Sequence, residues 1–137
     1  MLKFYKPLII AEIGLSHDGD IKKALNLIYL SKKYGADIVK FQTHIAEAET
    51  LIDAPSPSFF DGESRFDYFK RTSFSVEQWH KIASHCKKNN VIFLSSPFSL
   101  EAVDLLESVG VEAYKIPSGE VTNCLLYTSD AADEKVR

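Results

Sequence analysis

Short apolar runs alternate along this chain with segments in which apolar residues recur at helical spacing. Brief runs rich in β-branched side chains and bounded by glycine, proline or asparagine are typical of buried strands. We therefore predict strands at residues 7–13, 36–42, 91–95 and 111–116. The helix between the first two has a predicted buried face at the i, i+3, i+4, i+7 positions Ile21, Ala24, Leu25 and Ile28.

Capping residues mark where helices begin and end. The loop from Gly14 ends in Asp20, a favourable cap for the first helix, and Ser75 with Gln78 three residues later forms a capping-box pattern. Ser99 caps a third helix, and Gly35, Asn89-Asn90 and Gly110 mark the predicted helix ends. The predicted buried faces are Val76, Trp79, Ala83 and Cys86 in the second helix, and Ala102, Val103, Leu106 and Val109 in the third.

Strands that alternate with helices predict βαβ units and a parallel sheet. A (β/α)8 barrel needs about 250 residues, so the 137 residues here hold roughly its N-terminal half, with about four βα units. A doubly wound open sheet is the competing architecture. It favours a G-x-G-x-x-G turn after the first strand, which Gly14 to Gly19 lacks. We therefore predict the α/β half barrel.

The segment Thr43 to Thr72 differs from its surroundings, because it contains prolines, serines and a cluster of aromatic residues but little periodicity. A loop of this length inside a compact domain is usually functional or disordered. Its aromatic content favours a loop that packs on the rest of the domain. Phe66 to Arg71 are compatible with a helical turn.

Composition limits the possible functions. With 45% hydrophobic and 26% charged residues the chain can bury a core, and its net charge of −3 gives no general attraction for nucleic acid or anionic membranes. We expect neither a signal peptide nor a membrane span. Cys86 and Cys124 have no metal or redox spacing, which indicates a reduced, cytoplasmic setting.

Polar residues follow each predicted strand, and in such barrels the chemistry lies at the carboxyl ends of the strands. Alternation along the second strand puts Lys40 and Gln42 on one side. Ammonium groups with hydroxyl and amide groups suit a small polyanion, whereas carboxylates bind sugar hydroxyls or transfer protons. The candidate residues are Glu12, Lys40, Gln42, Ser95, Ser96, Lys115, Ser118 and Glu120.

Simpler interpretations remain open for single residues. Lys40 can pair with Glu12 across neighbouring strands, and Ser118 can be only a helix cap. His17 and His44 follow the first two strands and are expected near the site, whereas His80 and His85 are expected on a helix surface or in packing. Neither His17 nor His44 has a partner at ligand spacing within this chain, so these two residues alone do not support a metal site.

These residues fall in motifs that resemble the N-acetylneuraminate (sialic acid) synthase family, which includes the legionaminic and pseudaminic acid synthases. The resemblance covers Leu8 to Asn123, in the family's order and spacing. The motifs are Ala11-Glu-Ile-Gly-Leu-Ser-His-Asp-Gly19, Gly35-Ala-Asp-Ile-Val-Lys-Phe-Gln-Thr43, Phe93-Leu-Ser-Ser-Pro-Phe98 and Tyr114-Lys-Ile-Pro-Ser-Gly-Glu120.

The resemblance implies that phosphoenolpyruvate adds to the aldehyde of N-acetylmannosamine or a related amino sugar, releasing phosphate and a nonulosonic acid. Glu12 would transfer a proton and, with Glu120, face the sugar. The family's divalent metal, manganese or magnesium, would take ligands beyond this chain, and the full-length parent would be a homodimer. By motif, the residues implied to hold phosphoenolpyruvate are Lys40, Gln42, Ser96, Lys115 and Ser118.

The resemblance stops at Asn123, so we expect a partial barrel domain at 1–123 and a non-native tail at 124–137. The string from Cys124 resembles a translated sequencing adapter, although a native helix starting near Ser129 is the alternative. A half barrel exposes strand edges and apolar faces. We therefore expect this polypeptide to self-associate and to lack condensing activity.

Two other functions stay open. Another phosphoenolpyruvate-dependent synthase of this barrel class could act on a sugar phosphate, with Arg65, Lys70 and Arg71 binding the second phosphate. Alternatively, the chain is a non-catalytic βα-repeat module, in which replacing Lys40 and Lys115 has no biological effect.

Overall fold

A parallel sheet with helices on one side forms the body of the computed structural model, which describes residues 7–56, 62–124 and 126. Phe59, Phe60 and all of the predicted tail except Cys124 and Leu126 lie outside these residues. None of the described helices has the length and apolar character needed to span a membrane. The elements are β1 (Ile10–Gly14), α1 (Ile21–Lys33), β2 (Ile38–Thr43), α2 (Ala46–Glu49), α3 (Arg65–Thr72), α4 (Val76–Lys88), β3 (Ile92–Pro97), α5 (Leu100–Val109) and a 3-10 turn (Ser118–Glu120).

The sheet has β2 at its centre, paired in parallel with β1 on one side and β3 on the other. Val39 and Phe41 are fully buried because their side of β2 packs on the helices. Successive side chains alternate between the two faces of a strand, so Lys40 and Gln42 lie on the opposite face. The parallel βα order confirms the predicted α/β class.

The predicted fourth strand is much shorter than expected. Of residues 111–116, Tyr114 alone forms a bridge, to Ser95 of β3, and the Lys115 N–H donates to the Ser95 carbonyl oxygen at 3.0 Å. The Val111 N–H donates to the Leu106 carbonyl oxygen in the turn that ends α5, so it is not available to the sheet. Pro117 has no N–H with which to continue the hydrogen bonds to β3. The prediction of a full strand here was wrong in length, although its position beside β3 was right.

Three helices end in the same hydrogen-bonded turn. After α1, the Ala36 N–H donates to the Ser31 carbonyl and the Gly35 N–H to the Lys32 carbonyl, which is a Schellman motif. The motif needs a left-handed residue, and Gly35 (φ 96°), Asn90 (φ 51°) and Gly110 (φ 77°) supply it. The predicted helix ends are therefore confirmed, and each turn feeds the chain directly back to the sheet.

The helix faces meet the sheet largely as predicted. The predicted residues of α1 and α5 all contribute to burial, and Ser75 with Gln78 forms the predicted capping box. Val76 is the exception, since it is 44% exposed. It is the first residue of α4, and Phe74, just before the cap, enters the core instead. Ile82 completes the buried face of α4 with Trp79 and Cys86.

The segment predicted as a long loop contains two helices. Ser64 caps α3 by accepting from the Asp67 N–H at 3.0 Å, and the buried Phe69 anchors the helix to the domain. The helical turn considered for Phe66 to Arg71 is thus present and slightly longer. The expectation that the segment packs on the domain is confirmed for its described part.

A close backbone approach joins α3 to the β1–α1 loop. Gly19 has a φ of +78°, and a Cβ atom at this position would overlap the Arg71 carbonyl oxygen. The Arg71 side chain also pairs with Asp18 and donates to Glu63 at 2.6 Å, and its hydrogen bond holds the pKa of the Asp18 carboxyl below its usual range. The last turn of α3 is therefore fixed against the loop that follows β1.

We expect Gly19→Ala to destabilise the protein more than Gly35→Ala. Both positions have positive φ, which costs alanine about 1–2 kcal/mol, but a Cβ at Gly35 meets nothing within 4 Å. Overlap with the Arg71 backbone adds about 1–3 kcal/mol for the Gly19 variant. Urea unfolding of the whole protein that carries this segment measures the difference. Equal losses for the two variants would mean that the close approach is absent.

Candidate active site

The register of the sheet brings Glu12 and Lys40 together. They are partners on β1 and β2, and their side chains form an ion pair. The Lys40 side chain is 13% exposed and that of Glu12 is 53% exposed, so the carboxylate remains accessible. The pairing considered from the sequence as a simpler interpretation is thus observed, and it lies at the carboxyl ends of the strands.

Gln42 and Ser96 are partners across β2 and β3, one step further along the same face. Gln42 is half-buried and Ser96 is buried. On the opposite face, the Thr43 and Ser95 hydroxyls hydrogen bond at 2.8 Å in a buried position. Ser95 therefore joins the two strands behind the site, whereas Ser96 belongs to the face that carries Lys40 and Gln42.

An open cleft of about 760 Å³ lies at this end of β1 and β2. Glu12 and Gln42 form its polar side, and aromatic residues of α3 with Phe98 form the other side. Such a mixture of apolar wall and few polar groups is typical of small-molecule sites. The cleft is lined by Glu12, Ile13, Gly14, Leu15, Ser16, Gln42, His44, Arg65, Tyr68, Phe69 and Phe98.

His44 is fixed on all sides beside Gln42. Its ring stacks between Phe69 and Phe98, with centroid distances of 3.9 and 4.0 Å. Its Nδ1 lies 2.7 Å from Oε1 of Glu49, and its Nε2 lies 3.4 Å from Oε1 of Gln42. The sequence placed His44 near the site with no partner at metal-ligand spacing, and it gave no prediction for the contact with Glu49. An acidic residue five positions after the histidine was the available signal.

Of the predicted site residues, Glu12 and Gln42 line this cleft, whereas Lys40, Ser96, Lys115, Ser118 and Glu120 are not among its lining residues. The Lys115 backbone is hydrogen bonded to Ser95, and Ser118 and Glu120 belong to the 3-10 turn after Pro117. Glu120 accepts a hydrogen bond from the Asn123 amide at 2.9 Å. The geometry thus groups Glu12 with Lys40 and Gln42 with Ser96, and of the other three it places the Lys115 backbone beside β3.

His17 lies in the core, so the expectation that it is near the site was wrong for its side chain. It is fully buried, with its ring centroid 4.4 Å from that of Phe74, and its Nδ1 accepts from the Gly19 N–H at 3.1 Å. Burial, assisted by Lys23, lowers the pKa of His17 to about 4. The neutral imidazole accepts a hydrogen bond from the Gly19 N–H and thereby stabilises the β1–α1 loop on its buried side.

The described residues do not fit a divalent metal. Across residues 7–56, 62–124 and 126, no three His, Cys, Asp or Glu side chains come together as a metal site. Glu12 is paired with Lys40, and both ring nitrogens of His44 face side-chain partners. The metal ligands implied by the resemblance to sialic acid synthases remain a prediction for residues outside this chain.

Comparison with known proteins identifies the family. The model of the NeuB family matches residues 27–135, which is most of the chain. The chain belongs to the NeuB family. This confirms the resemblance to sialic acid synthases that the motifs at Glu12, Lys40, Ser96 and Lys115 indicated.

The relatives of this chain include two N,N'-diacetyllegionaminic acid synthases. The chain is 39% identical to an N,N'-diacetyllegionaminic acid synthase of Campylobacter jejuni, over 86% of this chain and 37% of the relative. It is 34% identical to the enzyme of the same name from Legionella pneumophila, over 93% of this chain and 37% of the relative. It therefore spans well under half of their length.

A solved NeuB-type structure confirms the fold. The chain superposes on the N-acetylneuraminic acid synthetase of Leptospira borgpetersenii with a TM-score of 0.77 and 28% identity, covering 93% of this chain and 42% of that one. The parallel sheet and its helices are thus part of a (β/α)8 barrel, as predicted. The family match extends into the predicted tail, in which Leu126 is 2% exposed. A non-native segment at 124–137 remains a prediction.

We expect stability to fall as the pH drops from 6.5 towards 4, through His17. The unfolded chain binds a proton at its ordinary pKa of 6.5, whereas the folded protein does so at about 4, so acid favours unfolding. Between these values the loss is about 1.4 kcal/mol per pH unit. Urea unfolding of the whole protein at pH 7, 6 and 5 should show a shallower decline in the free energy of unfolding for His17→Asn, which retains an acceptor for the Gly19 N–H.

The matched control is His80→Asn on the exposed side of α4, whose free energy of unfolding should decline as that of the wild type does. Parallel curves for all three proteins would contradict the assignment.

Proposed function

We propose that the whole protein carrying this segment condenses phosphoenolpyruvate with N-acetylmannosamine or a related amino sugar, giving a nonulosonic acid and phosphate. The observation that carries the proposal is the Glu12–Lys40 pair beside Gln42 and Ser96 at the carboxyl ends of the strands, in a chain of the NeuB family. Membership of the NeuB family supports the general reaction. The charges and hydrogen-bonding groups at the strand ends support the assignment of roles to residues.

Phosphoenolpyruvate carries a phosphate and a carboxylate, which need cationic and hydrogen-bonding partners in a partly buried site. Lys40 supplies a largely buried ammonium group, and Gln42 with Ser96 supplies neutral donors on the same face. Lys115 and Ser118 complete the group in our proposal. Charge-assisted hydrogen bonds to such an anion are stronger than those between neutral groups.

The amino sugar would lie in the cleft between Glu12 and the aromatic side. C3 of phosphoenolpyruvate forms the new bond to the aldehyde carbon of the sugar, whose oxygen takes up a proton. Water adds at C2, and cleavage of the C2–O bond releases phosphate. We assign proton transfer to Glu12, because its carboxylate lines the cleft and is accessible. Glu120 is assigned to the sugar hydroxyls.

The Glu12–Lys40 pair gives the order of events a physical basis. Before substrate binds, each charge is compensated by the other. A phosphate that competes for Lys40 would weaken this contact and leave the Glu12 carboxylate free to face the sugar. Binding of the anion first would thus release Glu12 from Lys40 before the sugar enters the cleft.

Action on a sugar phosphate is the second candidate, and one observation favours it: Arg65 lines the cleft. The other two cations considered for a second phosphate are engaged elsewhere. Lys70 pairs with Glu47 at 3.1 Å, and Arg71 pairs with Asp18 and Glu63. One arginine is a weaker basis for phosphate binding than a cluster, so we favour the unphosphorylated sugar.

The remaining assignments are proposals for the whole protein. We propose a cytoplasmic homodimer that uses manganese or magnesium held by residues outside this chain. We also propose that residues 1–123 belong to the barrel domain and that 124–137 are a non-native tail. None of the steps above depends on these assignments.

Lys40→Met in the whole protein should lower kcat/KM for phosphoenolpyruvate by about 100-fold or more, because a charged contact to the reacting group is lost. Lys22→Met on the exposed side of α1 is the matched control and should leave the rate unchanged. Steady-state release of phosphate measures both. Full activity, or an unchanged biological effect, in a Lys40→Met/Lys115→Met double variant would instead support a non-catalytic module.

The sugar preference should separate the two candidate reactions. We expect turnover with N-acetylmannosamine or a 2,4-diacetamido sugar to exceed that with arabinose 5-phosphate or a phosphorylated amino sugar by at least about tenfold, a discrimination of about 1.4 kcal/mol. Arg65→Ala should change kcat/KM for the unphosphorylated sugar little. A preference for the phosphorylated sugar that disappears in Arg65→Ala would establish the second candidate.

A further inference from the structure

We propose that His44 is a positioning residue that fixes the side-chain amide of Gln42 with its NH2 group directed towards the bound anion. The inference rests on the proposed function for the identity of the anion, phosphoenolpyruvate. The contact between His44 and Gln42 is independent of it, because it is a property of the protein without substrate.

Three kinds of contact hold the imidazole in one orientation. Phe69 and Phe98 cover its two faces, at interplanar angles of 6° and 20°. The carboxylate of Glu49 contacts Nδ1, and the side chains of His44 and Glu49 are only 4% and 6% exposed. The Ser73 hydroxyl donates to the His44 carbonyl oxygen at 2.9 Å, which fixes the backbone. The ring therefore has little freedom to turn about its own axis.

The fixed ring presents Nε2 to Gln42. Both atoms that face the ring are acceptors, Oε1 of Glu49 at Nδ1 and Oε1 of Gln42 at 3.4 Å from Nε2, so in this arrangement the ring carries an N–H on each nitrogen and the Glu49 carboxylate balances its charge. A carboxamide has two chemically opposite ends, a carbonyl that repels an anion and an NH2 group that donates to it. Contact between its oxygen and the Nε2–H of His44 leaves the NH2 group on the side of the amide away from His44, available to the anion that we place on the strand face shared with Lys40 and Ser96.

The position of the ring distinguishes this role from that of an ordinary core histidine. A core histidine needs partners for its two nitrogens but no particular relation to a site. Here one of the partners is Gln42, and both His44 and Gln42 line the same cleft as Glu12. Phe69 and Phe98, which stack on the His44 ring, also line the cleft. The same two side chains therefore hold the ring and shape the site.

Three substitutions in the whole protein separate positioning from packing. His44→Phe preserves a ring in the stack but removes both N–H groups, and His44→Asn carries its amide nitrogen near the place of Nδ1. His44→Gln carries its amide nitrogen near the place of Nε2. We expect KM for phosphoenolpyruvate to rise about tenfold in the Phe and Asn variants, with His44→Gln retaining most of the wild-type value, because an amide–imidazole contact is worth about one neutral hydrogen bond. Equal KM values in all three variants and the wild type would overturn the proposal.

A double-mutant cycle tests whether His44 acts through Gln42. In a Gln42→Ala background, His44→Phe should leave KM for phosphoenolpyruvate unchanged, because there is no amide left to orient. Fully additive effects, with the same fold-change in both backgrounds, would mean that His44 acts by another route and would overturn the proposal. Melting temperatures of the four proteins identify any variant that has simply failed to fold, and His44→Asn then replaces His44→Phe in the cycle.

NMR of the 15N-labelled whole protein tests the contact without turnover. The Nε2 resonance of His44 should shift in Gln42→Ala, and the Nδ1 resonance should shift in Glu49→Gln. An Nε2 resonance that does not respond to Gln42→Ala would overturn the proposal whatever the activity. If the wild type fails to condense phosphoenolpyruvate with any amino sugar while both resonances respond, the proposed function is wrong and the positioning contact stands.

Discussion

The parallel register of β2 between β1 and β3 is the constraint on which the site depends. It makes Glu12 the partner of Lys40 and Gln42 the partner of Ser96. A shift of one residue would turn all of these side chains to the opposite face, where Phe41 and other apolar residues pack against the helices. Burial of the apolar face therefore holds the polar face in register, and the core determines which groups meet at the carboxyl ends of the strands.

Above this sheet, the site is completed by a segment that contributes its aromatic wall. Phe69 of α3 is buried against His44, and Phe98 reaches the ring from the end of β3. The polar groups thus come from regular strands, whereas the apolar side comes from connections between elements. This arrangement is common in barrel enzymes, in which the strand ends hold catalytic side chains and the loops shape the substrate cavity.

Much of the fold was predictable because its signals are local. Caps at Ser75 and Ser99 and the left-handed turn at Gly110 depend on neighbouring residues, and each was read correctly. Placing a side chain in the core or at the rim depends on distant contacts, which is why His17 was misplaced and the partner of His44 was missed. The strand ends and the possible pairing of Lys40 with Glu12 were recognised from the sequence, but the cleft and its aromatic side required the three-dimensional structure.

The contact between Gly19 and the Arg71 backbone has a consequence for the exchange of loops between relatives. The β1–α1 loop and α3 are far apart in sequence, yet neither can change its path without the other. A transplant of residues 62–72 from one synthase into another would lose this contact unless residues 14–20 were transplanted with them. In an engineered exchange the two segments therefore have to be treated as one piece of structure, although about 40 residues of sequence separate them.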